Sequence, residues 1–148
     1  MVSARTAPFG DDDSYTPRWR VWMDRVIIVG VGGFVGAVLR FLLTAAVGQV
    51  FAERWLVGTL LVNAIGSLLA GGLYALAEVR GLFASPTWLL LSTGVLGSFT
   101  TFSALTVECF RLLSAGQRGS AFALALGHIV VGVALVALGY YVVRSWVA

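Results

Sequence analysis

Four long apolar runs dominate this sequence and restrict its fold more than any other feature. They cover about residues 26–47, 55–77, 86–110 and 120–143. A helix needs about 20 mostly apolar residues to cross the hydrocarbon of a bilayer, and each run is long enough. Lipid supplies no hydrogen bonds, so a spanning segment must satisfy its own backbone, which a helix does and an open strand does not. The sequence therefore predicts an all-α integral membrane protein with four transmembrane helices and short connections at residues 48–54, 78–85 and 111–119. Only 11% of the 148 residues are charged, against roughly 25% in soluble domains. A separate soluble domain has no room.

Residues 1–25 read as a polar, disordered tail, with Pro8, Gly10, Asp11, Asp12, Asp13 and Pro17 ahead of Arg18, Arg20 and Arg25. Trp19 and Trp22 among these arginines suit an approach to a membrane surface. The domain proper covers residues 26–146. Trp55, Trp88, Tyr140, Tyr141 and Trp146 fall near expected helix ends, where an aromatic belt would lie. The net charge of +3 rests on arginines in the tail and loops, so it says nothing of nucleic acid. Cys109 is the only cysteine; it reads as a small apolar residue, and no Cys/His cluster points to a metal site.

Within the third run, Gly94-Val-Leu-Gly97-Ser98-Phe99-Thr100-Thr101-Phe102-Ser103 is a poor helix. A break at membrane depth survives only where it lines a cavity or binds something. Its exposed carbonyls suit a small cation, and its freed N–H and hydroxyl groups suit an anion. Alternatively, these hydroxyls bond back to their own helix and the glycines permit close packing. In the first run, Gly32/Gly36 and Gly33/Ala37 have small-xxx-small spacing. Arg40 follows, either snorkelling outward or drawing anions to a pore mouth. In the second run, Thr59, Asn63 and Ser67 share one helix face; Asn63 is either interhelical glue or a pore donor. In the fourth, His128 is either packed neutral against a neighbour or pore-lining. The middles of the first three runs hold no Asp, Glu, Lys or His, as coupled transport would require. No nucleophile–base pair or phosphate loop appears, so the chain does not read as an enzyme.

Three ordered motifs then carry a resemblance. Gly33-Phe-Val-Gly36-Ala37-Val-Leu-Arg40-Phe41, Gly58-Thr59-Leu-Leu-Val-Asn63-Ala-Ile-Gly66-Ser67, and Gly94-Val-Leu-Gly97-Ser-Phe-Thr100-Thr101-Phe102-Ser103 closed by Glu108 resemble the fluoride channel family called Fluc or CrcB. The resemblance implies a passive, fluoride-selective channel of the cell membrane that relieves fluoride toxicity. It implies an antiparallel, dual-topology dimer with two pores and a third helix broken at its centre. It also implies a structural sodium ion on the dimer axis, held by the carbonyls of Gly97 and Thr100. Asn63 and Phe102 would line the pore with Thr59, Thr101 and Ser103, and Arg40 would stand at the vestibule.

Two places depart from the family pattern. Leu105 stands where a second phenylalanine is usual, and Leu124 and His128 stand where a Tyr and a Ser often face the pore. These departures and the charge pattern suggest a paralogous partner. Arg18, Arg20, Arg25, Arg80 and Arg144 share the side of the termini, against Arg54, Arg111 and Arg118 on the other, with Arg40 near its boundary. This favours cytoplasmic termini, whereas a dual-topology homodimer needs little bias. The alternatives are one subunit of an obligate heteromer, non-conducting without its partner, or a small proton-coupled multidrug exporter. The exporter needs a buried carboxylate in the first run, which has none.

Overall fold

A computed structural model describes residues 18–50 and 55–147. Arg54, the acidic stretch of the tail and most of the 48–54 connection lie outside them. The described chain is helical, and four of its helical segments are long and apolar enough to cross a membrane. It is a multi-pass membrane protein.

Helix α1 (Arg18–Val50) is followed by α2 (Trp55–Arg80). The third segment is composite. It starts as α3 (Pro86–Trp88), continues as a π-helix (Leu89–Leu96) and ends its first half as α4 (Gly97–Phe99). It restarts as α5 (Phe102–Ser114), and α6 (Arg118–Val147) closes the chain. Pro86 begins the third segment with its missing N–H at no cost, and Ser85 caps it by accepting from Trp88 N at 3.0 Å.

The helices run past the expected ends. Helix α1 is already formed at Arg18, so residues 18–25 are helix and not tail. These residues contain no Gly or Pro, and a hydropathy reading marks only the part of a helix inside hydrocarbon, not its interfacial turns. Helix α2 extends to Arg80 and stops at Gly81, whose φ of 64° is left-handed. There Leu82 N reaches back to Ala77 O at 2.9 Å, a glycine C-cap. Gly116, with φ 75°, ends α5 in the same way.

Two pairings hold the bundle. Helix α1 lies along the π-helix, and α2 lies along α6. Both are glycine contacts. A Cβ on Gly32 would sit 2.6 Å from Leu90 O, and one on Gly94 would sit 2.9 Å from Gly32 Cα. A Cβ on Gly71 would overlap Val136 O, and one on Gly139 would overlap Leu68 O. Small residues let backbones touch, which drives helix association where the hydrophobic effect does not. Few large side chains are buried, and most apolar side chains face outward, as lipid permits.

Candidate functional site

The site is built where the third segment stops being helical. Thr100 (φ −78°, ψ 157°) and Thr101 (φ −147°, ψ 109°) are extended. The two residues separate the end of α4 from the start of α5. Helix termini leave main-chain groups without helical partners, and here most must be satisfied from elsewhere.

Asn63 on α2 meets part of this need. Its Oδ1 accepts from Thr101 N at 2.8 Å, and its Nδ2 donates to Thr101 O at 3.1 Å. The amide thus replaces both helical bonds of one residue. Asn63 is glue in this respect, and its second N–H remains available. Thr101 Oγ1 caps α5 by accepting from Ala104 N at 3.2 Å and lies 3.3 Å from Ser103 Oγ. Thr100 Oγ1 and Thr100 N both donate to Leu96 O at 3.0 Å.

Some groups remain unpaired. At the start of α5 the N–H groups of Phe102 and Ser103 have no partner among the described residues. The positive end of the helix dipole lies there. At the end of α4 the carbonyls of Gly97 and Thr100 likewise accept no main-chain N–H among the described residues. The interruption therefore presents donors on one side and acceptors on the other.

Beside it is an open cavity of about 290 Å³, lined by Asn63, Ser67, Thr100, Thr101, Phe102, Leu105, His128 and Ile129. Phe102 is 77% exposed, whereas Leu105 is buried. His128 Nδ1 pairs with Leu124 O at 3.0 Å, and its buried Nε2 has no partner among the described residues. The structure thus gathers Asn63, Thr100, Thr101, Phe102 and His128 around one space, with Ser103 bonded to its rim. It does not bring Arg40 there: the residue is half-buried on α1, and no α1 residue lines the cavity.

Thr59 also lies away from the cavity. It is buried and donates its hydroxyl to Glu108 Oε1. Glu108 has no exposed surface, and its Oε2 has no partner among the described residues. The middle of the third run holds no acid, but a buried one lies near its end. Glu108 lies near the end of the apolar run, but α5 continues to Ser114 and carries the carboxylate inward against α2. The spacing of Thr59 and Asn63 on one face of α2 was a usable signal, because the face that meets Thr101 must also meet the residues two turns further along α5. Cys109 is half-buried, with its Sγ 3.8 Å from Ala121 O.

A family model described as CrcB-like protein, Camphor Resistance (CrcB), matches residues 27–140. A protein named fluoride-specific ion channel FluC from Thermus thermophilus is 40% identical over 118 residues, covering 80% of this chain and 94% of its own length. A FluC from Caulobacter vibrioides is 34% identical over 124 residues, covering 83% and 98%. FluC 1 of Methanosarcina acetivorans is 44% identical over 95 residues, covering 64% and 72%.

Proposed function

Because this chain belongs to the CrcB family, we propose that it is a subunit of a fluoride channel, a passive pore that releases fluoride across the cell membrane. The observation that carries this reading is the pair of extended residues, Thr100 and Thr101, set beside the cavity with free amides on Phe102 and Ser103. The chemistry is transport without a catalytic step.

Fluoride is small and tightly hydrated, so a pore must replace its water with hydrogen-bond donors. The donors at hand are the N–H groups of Phe102 and Ser103, the spare N–H of Asn63 and the hydroxyls of Thr101 and Ser103. The ring edge of Phe102 is electropositive and can face the anion. His128 is a further lining group. Among the described residues no arginine or lysine lines the cavity, so the ion is not trapped, and conduction requires binding weak enough for release. Thr59 holds Glu108 in place, and Arg40 draws anions to the vestibule. A negative interior favours anion exit by about 2.3 kcal/mol per 100 mV.

The third helix, read as broken at its centre, also suits a structural sodium ion. The free carbonyls of Gly97 and Thr100 are hard oxygen donors at the negative end of a helix. One copy offers only two such carbonyls, so the ion would sit between two copies, adding positive potential near the pore. In this reading the dimer is antiparallel.

The test is fluoride efflux from liposomes carrying the purified chain, with chloride as control. Fast release of fluoride alone is expected, and release lost on substituting Phe102. Equal release of both ions would overturn the reading. A second reading, pairing with a paralogous subunit, is favoured by Leu105, whose buried side chain offers no ring to the cavity. Silent liposomes that conduct after co-reconstitution with a paralogue would select it. Termini mapped to one face of the membrane would agree, and an even split would reject it.

A further inference from the structure

The first turns of α1 form a second site, remote from the interruption. Arg25, Ile28, Phe83, Ser85, Pro86 and Trp88 enclose much of a cavity of about 230 Å³ where α1 meets the start of the third segment. A second, apolar cavity of about 340 Å³ adjoins it, sharing Ile28 and Pro86 and continuing past Val31 and Leu90. We propose that this composite groove binds an anionic phospholipid, with the headgroup phosphate on Arg25 and one acyl chain along Ile28, Val31 and Leu90.

Four observations carry this. Arg25 is exposed and has no ion-pair or hydrogen-bond partner among the described residues. Among the described residues Asp24 is the one acid in the first turns of α1, beside Arg20 and Arg25, and Glu78 is paired with Arg144 at 3.3 Å. The groove runs in the direction a lipid would take. Ile28 and Val31 follow Arg25 at one-turn steps, so at about 1.5 Å per residue the apolar lining reaches roughly 9 Å along the helix axis from the Arg25 backbone. The wall at the charged end is amphipathic. Phe83 and Trp88 meet edge-on with centroids 5.0 Å apart, and interfacial aromatics hold the headgroup level. Ser85 Oγ accepts from Trp88 N at 3.0 Å, which leaves its hydrogen free to donate to a phosphate oxygen. A cation at the mouth of an apolar groove complements an anionic lipid.

The inference does not depend on what the protein conducts, and its test involves no flux. The purified full chain is equilibrated with phosphatidylglycerol or with phosphatidylcholine of the same acyl chains, and retained lipid is counted by native mass spectrometry. Retention of phosphatidylglycerol should be about fivefold higher, as one arginine near a membrane surface supplies. Arg25→Gln should abolish the preference and leave the fold intact, since Arg25 has no partner to lose. Ile28→Trp, which fills the junction of the two cavities, should lower retention of both lipids. Equal retention of the two lipids by the wild type, or an undiminished preference in Arg25→Gln, overturns the proposal. So does Ile28→Trp changing the oligomeric state with lipid retention intact, because the occupant would then be a second copy.

Discussion

The α2–α6 pairing and the interruption at Thr100–Thr101 solve one problem in opposite ways. Both must place polypeptide inside lipid with its main-chain polar groups satisfied. The α2–α6 pair keeps every helical bond and gains its stability from contact, with the backbones of Gly71 and Gly139 against those of Val136 and Leu68. The interruption gives up helical bonds and replaces two of them with the amide of one side chain, Asn63. The first arrangement is a scaffold that tolerates no added volume. The second is a polar opening that depends on single hydrogen bonds, and residues of α2 and α6 wall it on one side.

The largest effect should come from removing the replacement bonds. Asn63→Leu leaves the N–H and C=O of Thr101 without partners, at about 1–3 kcal/mol for each. Yield and thermal stability in detergent should both collapse. Asn63→Asp keeps an acceptor for Thr101 N but loses the donor to Thr101 O, so its loss should be about half as large. Equal stability of the two variants would mean that the Thr101 carbonyl finds another donor, and the dependence on a single side chain would be broken.

The next effect tests the buried acid beside the opening. Thr59→Val removes the one hydrogen bond made among the described residues by a carboxyl group that has no exposed surface. Hydrogen bonds to charged groups contribute about 1.5–3 kcal/mol, so a drop in that range is expected in equilibrium unfolding. Glu108→Gln retains an acceptor for Thr59 and should be tolerated structurally. If Thr59→Val proves silent, Glu108 is held by packing, and this part of the polar region resembles the scaffold.

How much of this contrast is legible in the sequence depends on its physical origin. The four spans are readable because each is a long run of one property, and lipid enforces length. The helix ends are less readable, since the turns from Arg18 to Arg25 lie where polar and apolar residues are equally at home. Asn63 is conspicuous as a mid-membrane amide, yet glue and donor remain equivalent until Thr101 is seen opposite it. The burial of Glu108 is not legible because it belongs to the partner helix, and a carboxylate near the end of an apolar run looks the same whether it faces water or Thr59. The π-helix at Leu89–Leu96 leaves no mark of residue type. It is a slip in hydrogen bonding that lets Gly94 press on Gly32, and such slips recur near functional sites.

The scaffold can be broken directly. Gly139→Ala places a methyl group against Leu68 O, and Gly71→Ala places one against Val136 O. Overpacking costs about 1–3 kcal/mol, and here the obstruction is backbone, which cannot rotate away. Each variant should lower the melting temperature, while Gly119→Ala, where an added Cβ meets nothing within 4 Å, should not. A wild-type melting temperature in Gly139→Ala would show that α2 and α6 slide, and the scaffold would not be rigid.

The smallest effect is expected at the ends of the same two helices. Glu78 Oε2 accepts from Tyr140 Oη at 2.6 Å and from Arg144 Nη1 at 3.3 Å. Both charged side chains are well exposed, Arg144 at 49% and Glu78 at 43%. Surface ion pairs of this kind carry little net stability. Glu78→Gln keeps a carbonyl oxygen for both donors and removes only the charge. Thermal unfolding should be unchanged within error at low and at moderate salt, and any fluoride flux should be unchanged too. A loss as large as that of Thr59→Val would mean that this end is as desolvated as the interior. The difference between the two regions would then lie in their depth in the membrane, and not in how each satisfies its backbone.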